Sequence, residues 1–264
     1  MRDNGTYPLT YIGYYEAECR PVRGTVPTEE RVTIYVNGQT LVRLNCTPLL
    51  LEELALGLLF NEGLIEGIED VAALELSPRG QCVDVWLRGQ IELPQMRIIT
   101  SGCSGGVTFE DAPVTLPQLA SEMRILPQQV VGLMEQLTRG AVLYSRTGGI
   151  HTAALADGER ILWTAEDIGR HNTIDKLAGI CLRESHPSRD HILLTSGRVS
   201  SEMVYKAARM GVPVVISRTS PTSMSVRLAG TCGITLIGYT RRRSFRVYAH
   251  EERVGAASYE QCGQ

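Results

Sequence analysis

The sequence predicts an α/β protein in which a mixed sheet carries helices on both faces, preceded by a smaller α+β unit. Three observations lead there. From about residue 126 onward, short apolar segments alternate with helical ones, the pattern of strands joined by crossover helices. Asn37-Gly38 and Asp157-Gly158 each sit between alternating apolar runs, the strongest short-range hairpin signal. The first hundred residues hold strand-like runs but one strongly apolar helical segment, "TPLLLEELALGLLFNEGLI". The division falls in residues 104 to 125, where prolines and weak periodicity suggest a mobile connector. An N-terminal α+β domain then spans 1–115 and an α/β domain 116–264.

The elements follow in order. "RVTIYVNGQTLVRLNC" alternates apolar and polar residues on both sides of its turn, giving two strands. In the helix that follows, Thr47 can cap and Pro48 suits the first helical position. Glu52 and Glu53 lie near its first turn, and Gly63 offers a stop. "CVDVWLRG" reads as a strand, and "RIITSGCSGG" runs from a short strand into a glycine-rich loop. In the second half "PQQVVGLMEQLTRG" is helical, and "GGIHTAALADGERILWTAED" holds a hairpin. Then come helix "GRHNTIDKLAGICLRE", strand "HILLTS", helix "SSEMVYKAARMG" and strand "VPVVISR". Helix "PTSMSVRLAGTCG" and strands "ITLIGYT" and "SFRVYAH" complete the order. Such alternation predicts a largely parallel sheet with an antiparallel hairpin at its start.

Composition narrows the class. The 264 residues are 43% hydrophobic and 21% charged with a net charge of −3, so general nucleic-acid binding is not expected. No run approaches a membrane span and the first twenty residues hold no apolar signal core, so a cytoplasmic protein is expected. The seven cysteines, at 19, 46, 82, 103, 181, 232 and 262, form no CxxC pair, which argues against zinc ribbons and for free thiols. Cys82, Cys181 and Cys232 have apolar neighbours and read as packing residues. Cys103, in "TSGCSGG", has almost no apolar surface around it. That setting suits a thiol that reaches out to a partner, and it would equally suit a cluster of metal ligands.

Ligands of open α/β sheets sit beyond the carboxyl ends of the strands. Three such ends are conspicuously polar here: "EDIGRHN" (166–172), "TSGRVSSE" (195–202) and "SRTSPTSMS" (217–225). Each leads into a helix whose free N–H groups favour an anion such as phosphate. Simple capping accounts for one oxygen per helix. It leaves Arg170, His171 and Asn172, and Ser196, Gly197 and Arg198, as candidate binding residues. His171 and Asp175, like Asn172 and Lys176, lie one helical turn apart, and His151 follows two glycines at the head of the hairpin. "YTRRRS" (239–244) places three arginines in a turn between the last two strands, where they can be solvated or can clamp a pyrophosphate.

"GGIHTAAL", "AEDIGRHNTIDKLAG", "LTSGRVSSEMVYKAARMGVPVV" and "SPTSMSVRLAGTCGITLIGYTRRRSFRVYAH", with the apolar helix and the Cys103 loop, closely resemble the FdhD/NarQ family of formate dehydrogenase accessory sulfurtransferases. The resemblance implies a cytidine-deaminase-like fold for the second half and a cytoplasmic homodimer. It implies that Cys103 accepts sulfur from a cysteine desulfurase as a persulfide. The sulfur would pass to the molybdenum or tungsten bis(molybdopterin guanine dinucleotide) cofactor destined for formate dehydrogenase. GDP could stand in for part of that cofactor. The family's cofactor-binding stretch falls on Tyr239, Thr240, Arg241, Arg242, Arg243 and Ser244. The family loop usually carries two cysteines as CGxCG; here Cys103 matches the first and Gly106 occupies the place of the second. Arg97 lies close enough in sequence to favour the thiolate.

Two other classes compete. A zinc deaminase needs a glutamate two residues after its first ligand and a PCxxC, and "HTAA" at 151 offers neither. A non-covalent cofactor chaperone, with Cys103 incidental, remains the alternative to a sulfur carrier.

Overall fold

The computed structural model describes residues 5–91, 98–99, 107–108 and 118–255. Strands β1 (Thr6–Tyr15) and β2 (Glu18–Pro27) form an antiparallel ribbon that pairs from Thr6↔Pro27 to Tyr15↔Glu18. Most of its residues are solvent-facing, Tyr14 80% exposed, so the ribbon has no buried face to impose alternation. Sequence patterning did not announce it for that reason.

Strands β3 (Glu30–Val36) and β4 (Gln39–Cys46) form the expected hairpin, with positive φ at both Asn37 and Gly38, 49° and 78°. The Asn37 side chain also ties this turn to the neighbouring strand, accepting from the Leu87 N–H at 2.8 Å. With β5 (Val71–Leu76) and β6 (Cys82–Leu87) they make a sheet ordered β4-β3-β6-β5, in which β3 and β6 run parallel. Val32, Ile34, Val83 and Val85 pack on Leu51, Leu54, Ala55 and Leu58 of helix α1 (Leu51–Asn61).

Helix α1 begins later than expected, at Leu51 after a left-handed Leu50. Pro48 therefore does not open it and Thr47 does not cap it. The Thr47 groups are used elsewhere. Its N–H donates to Asp167 at 3.1 Å, its hydroxyl accepts from the Ile168 N–H at 3.2 Å, and its carbonyl accepts from Lys176 at 3.1 Å. Gly63, at φ 73°, closes the helix as predicted.

Two short strands, β7 (Ile98–Ile99) and β8 (Val107–Thr108), pair antiparallel and bracket the Cys103 segment, which itself lies outside the described residues. Most of the 104–125 connector does too. Its last residues are tied down, Leu119 to the Cys232 carbonyl and Ile125 in a bridge to Val254.

The second half holds α2 (Pro127–Gly140), α3 (Val142–Thr147), β9 (His151–Ala156), β10 (Ile161–Asp167), α4 (Arg170–Arg183), β11 (Ile192–Thr195) and α5 (Ser201–Arg209). Then follow β12 (Val214–Ser217), α6 (Ser223–Cys232), β13 (Thr235–Arg241) and β14 (Ser244–Ala249). The strand order is β10-β9-β11-β12-β13-β14. The sheet is mixed, as the fold class required, but less parallel than helix–strand alternation alone implied. Only β11–β12 and β12–β13 pair parallel; β10–β9, β9–β11 and β13–β14 are antiparallel. Helix α4 carries the chain back past β9, so β11 runs beside β9 in the opposite direction.

Alternation sorts the sheet's side chains between two covered faces. Leu155, Leu193, Val215 and Leu236 pack among residues of α4, α5 and α6, such as Leu177, Met203 and Ala229. Ala154, Ile192, Leu194, Val214 and Ile216 pack against Val130, Leu133, Met134 and Leu137 of α2.

Helices α1 and α4 cross at backbone contact. A Cβ on Gly57 would lie 1.7 Å from the Asp175 carbonyl oxygen, and one on Gly179 would lie 1.9 Å from that of Glu53. Around this crossing the two halves share buried polar groups. Lys206 reaches Asp175 at 2.6 Å, and Asn61 donates to Asp175 at 2.8 Å. Lys176 reaches Asp167 at 2.6 Å. Burial alone would push the Lys206 ammonium down; the Asp175 and Glu62 carboxylates outweigh it and hold Lys206 above its ordinary value. Among the described residues, no helix is long and apolar enough to cross a membrane.

Candidate functional site

Strands β10 to β13 bring their polar ends to one edge of the six-stranded sheet. The start of β9 lies there as well, because β9 runs opposite to its neighbours. Thr152, Glu166, Ser196, Arg218 and Thr240 therefore come from five different strands or strand ends. Helix α2 lies beside this edge, and between them opens a cavity of about 660 Å³ whose lining includes Thr138, Arg139, Arg218, Thr240, Arg241 and Arg242. A narrower recess continues from it past Tyr144, Thr152 and Ser196, with Arg218 and Thr138 common to both.

The wall of this cavity is cationic. Among the described residues that line it, Arg139, Arg218, Arg241 and Arg242 are accompanied by one carboxylate, Glu135. Arg218 is half-buried at the end of β12, its guanidinium 5.7 Å from the Tyr144 ring centre. Its backbone N–H donates to the Thr195 carbonyl, which locks the two strand ends together.

Thr240 owes its place to a break in strand pairing. Gly238 pairs with Arg246 and Arg241 with Ser244, so Tyr239 and Thr240 stand opposite Phe245 alone. This is a β-bulge, a device that re-aims side chains. Tyr239 takes up the strain with φ 52°, its N–H donating to the Thr219 carbonyl and its ring under the Arg246 guanidinium at 4.5 Å. Gly238 is needed because a Cβ there would lie 2.9 Å from that same carbonyl oxygen. Thr240 is 1% exposed, and among the described residues its hydroxyl has no hydrogen-bond partner. A buried hydroxyl left unsatisfied beside a cationic cavity is a polar group waiting for an acceptor.

The predicted residues divide accordingly. Thr240, Arg241 and Arg242 line the larger cavity and Ser196 the recess. Arg243 and Ser244 are exposed in the turn and at the start of β14, and Arg198 is also exposed; none of the three lines either space. Gly197 is buried where the first two polar loops meet. Its missing Cβ would lie 3.2 Å from both Arg170 Cβ and His151 Nδ1. His171 and Asn172 are 4% exposed and face inward. Asn172 donates to Asp167 and to the Asn45 carbonyl, joining α4 to the first sheet.

His171 Nε2 lies 2.9 Å from Glu202 and 3.1 Å from Ser200. Burial holds its imidazole below the ordinary value despite the carboxylate, with Lys206 and Arg170 acting in the same direction. The ring is therefore neutral at pH 7 and donates its Nε2 proton. His151 is lowered as well, by burial and then by Arg170.

The loops themselves are stitched together. Ser217 donates to the Gly197 carbonyl at 2.7 Å, and Thr222 with Ser225 forms a reciprocal cap on α6. Much of the polarity at the three strand ends is spent in building the edge. Arg218, inside the third polar cluster, was not singled out from sequence, nor were Thr138 and Arg139 on α2. The signal for Arg218 was its place as the first charged residue after "VPVVIS".

The described cysteines behave as packing residues or surface groups. Cys46, Cys181 and Cys232 are buried. Burial pushes the thiols of Cys46 and Cys181 up to about 12, aided at Cys46 by Asp167 and at Cys181 by Glu184, which makes both poor nucleophiles. Cys82 is only half-buried, and Cys19 is exposed on the ribbon.

The model of the FdhD/NarQ family matches residues 27–255. The chain is 37% identical over 260 residues to a sulfur carrier protein FdhD of Bacillus subtilis, covering 96% of this chain and 99% of the relative. It is 36% identical over 252 residues to one of Staphylococcus haemolyticus, covering 93% and 95%. Among solved structures it is similar to a chain described as a formate dehydrogenase accessory protein from Desulfotalea psychrophila. The identity is 25% and the TM-score 0.81, over 95% of this chain and 100% of that one.

Proposed function

Since the chain belongs to the FdhD/NarQ family, we propose that it is a cytoplasmic, homodimeric sulfur carrier that serves formate dehydrogenase. Its Cys103 thiolate attacks the terminal sulfur of a cysteine desulfurase persulfide. A new S–S bond forms at Cys103 as the donor's S–S bond breaks, and the desulfurase thiolate leaves. The carrier then presents that sulfur to its client, a molybdenum or tungsten cofactor with two guanine dinucleotide arms.

The observation that carries this reading is the cationic cavity at the strand edge with the unsatisfied Thr240 hydroxyl in its wall. Arg218, Arg241 and Arg242 match the charge of a pyrophosphate, and their forked donors suit its oxygens. Thr240 supplies a neutral donor, and the recess past Ser196 and Thr152 offers room for further contact along the same edge. GDP is the natural probe because it carries one guanosine and one pyrophosphate, as each arm of the cofactor does. The buried thiols of Cys46 and Cys181, held protonated, leave the transfer to a cysteine elsewhere in the chain.

A second reading rests on Gly106, which stands where the family loop has its second cysteine. A non-covalent chaperone would bind the cofactor through the same cavity and need no thiol. Complementation separates the two. A host lacking its own carrier should regain formate dehydrogenase activity with the wild-type chain and not with Cys103→Ala. Full activity with Cys103→Ala would leave the chaperone.

A further inference from the structure

The connection between α4 and β11 carries a second cluster of polar side chains, at the opposite end of β11 from the strand-edge cavity and not used by it. We propose that His186 and His191 form a surface site for a zinc-class divalent cation, with Trp163 packed beside it. The two Nε2 atoms face each other at 3.4 Å. That is long for an N–H···N hydrogen bond, whose donor and acceptor usually lie about 2.7–3.2 Å apart. It matches two nitrogens on one tetrahedral ion. With each bond about 2.0–2.1 Å long, such nitrogens stand about 3.3–3.4 Å apart. Neighbouring ligands of an octahedral ion at the same bond length would be closer, about 2.8–3.0 Å.

The partners of both rings favour ligation. His191 Nδ1 lies 2.9 Å from the Arg189 carbonyl and can only donate to it, so Nδ1 carries the proton and Nε2 presents its lone pair toward His186. A backbone carbonyl behind a histidine ligand is the usual outer support of a metal site. His186 is set by packing: its ring meets Trp163 edge to face at 4.6 Å, and the two imidazoles are 5.3 Å apart at 72°. Trp163 is itself fixed, donating its indole N–H to Glu184 at 2.9 Å.

The backbone between the histidines is pinned at several points. The His186 N–H donates to the Cys181 carbonyl and the Asp190 N–H to that of Gly211. Ser188 donates to the Met210 carbonyl at 2.7 Å, and Ser121 donates to Asp190 at 2.7 Å. A preorganised pair of this kind loses little freedom on binding. Among the described residues no third histidine, cysteine or carboxylate joins the pair to make a three-ligand group. Water would therefore complete the coordination. The bound ion would clip the α4–β11 connection closed.

Trp163 reports on the site directly. In a Trp86→Phe background it is the sole tryptophan, since the chain has two. Titration with NiCl2, an open-shell quencher that favours imidazole, should quench Trp163 emission and saturate at one ion per chain. Added ZnCl2, which does not quench, should restore the emission by displacement. His186→Ala and His191→Ala should each abolish the saturable quenching. A second measurement guards against a folding defect: ZnCl2 should raise the melting temperature of the parent and of neither histidine variant. Quenching that persists in both variants, or that never saturates in the parent, would overturn the site. Neither result bears on sulfur transfer, so this proposal and the proposed function fail separately.

Discussion

Replacing Gly179 by alanine should destabilise the protein, although helix propensity alone predicts the reverse. In a helix interior, Gly→Ala ordinarily gains about 0.5–1 kcal/mol. At Gly179 the new Cβ would stand 1.9 Å from the Glu53 carbonyl oxygen and 2.5 Å from its carbon. Both are backbone atoms of α1, so no side chain can turn away. Relief to an ordinary contact of 3.4 Å or more needs α1 and α4 to part by well over about 1 Å, beyond what a close-packed core accommodates without strain. That movement also stretches the Asn61–Asp175 hydrogen bond beside the crossing. Overpacking of this kind costs about 3 kcal/mol. At about 2–4 °C per kcal/mol, the melting temperature should fall by about 6–12 °C. Gly132 in α2 is the control, because a Cβ there meets nothing within 4 Å. Gly132→Ala should raise the melting temperature by about 1–4 °C. Calorimetry on the two variants decides the matter. A Gly179→Ala protein as stable as Gly132→Ala would refute the backbone-to-backbone crossing.

Other outcomes follow from the buried charges and the cavity. Arg218→Ala should weaken GDP binding about ten- to a hundredfold, the worth of a lost charged hydrogen bond, and Arg218→Lys should recover part of it; calorimetric titration measures both. Thr240→Val removes a hydroxyl that has no partner among the described residues, so it should leave unfolding unchanged or slightly harder while GDP binds less tightly. Lys206→Met strands the Asp175 carboxylate and should cost about 3–5 kcal/mol in urea unfolding, partly restored by Asp175→Asn in the same chain. His171 and His151 both have folded values below the ordinary 6.5, so the unfolded chain binds more protons once pH falls below that value. Their contribution is complete above about pH 7 and is lost as pH drops through 6.5 toward their folded values. His171→Gln should flatten the fall in melting temperature between pH 7 and 5.5.

The signals that were legible in the sequence were local ones. Asn37-Gly38 set its hairpin because a two-residue turn needs positive φ at both positions, and the structure has them. Pro127 and the amphipathic run behind it placed α2 at its observed bounds. The β1–β2 ribbon went unread because neither of its faces is buried, so no alternation marks it. Thr47-Pro48 carried a local helix-start signal, but Asp167 and Lys176, more than a hundred residues away, claimed the Thr47 groups. The candidate site shows the same limit. "EDIGRHN" is visibly polar, yet composition cannot say that His171 and Asn172 turn inward while Ser196 and Arg218 face a cavity. Lys206 sits on what reads as the polar side of α5, and only tertiary packing reveals that this side meets Asp175 and Glu62.

Mapping the sulfur after turnover with a cysteine desulfurase and free cysteine tests the central claim most directly. Peptide mass spectrometry under non-reducing conditions should find one added sulfur atom on the peptide that contains Cys103. It should find none on those of Cys46 and Cys181, whose thiols stay protonated. Sulfur on another cysteine at equal yield in the Cys103→Ala chain, or no sulfur on a wild-type chain that still activates formate dehydrogenase, would contradict the account.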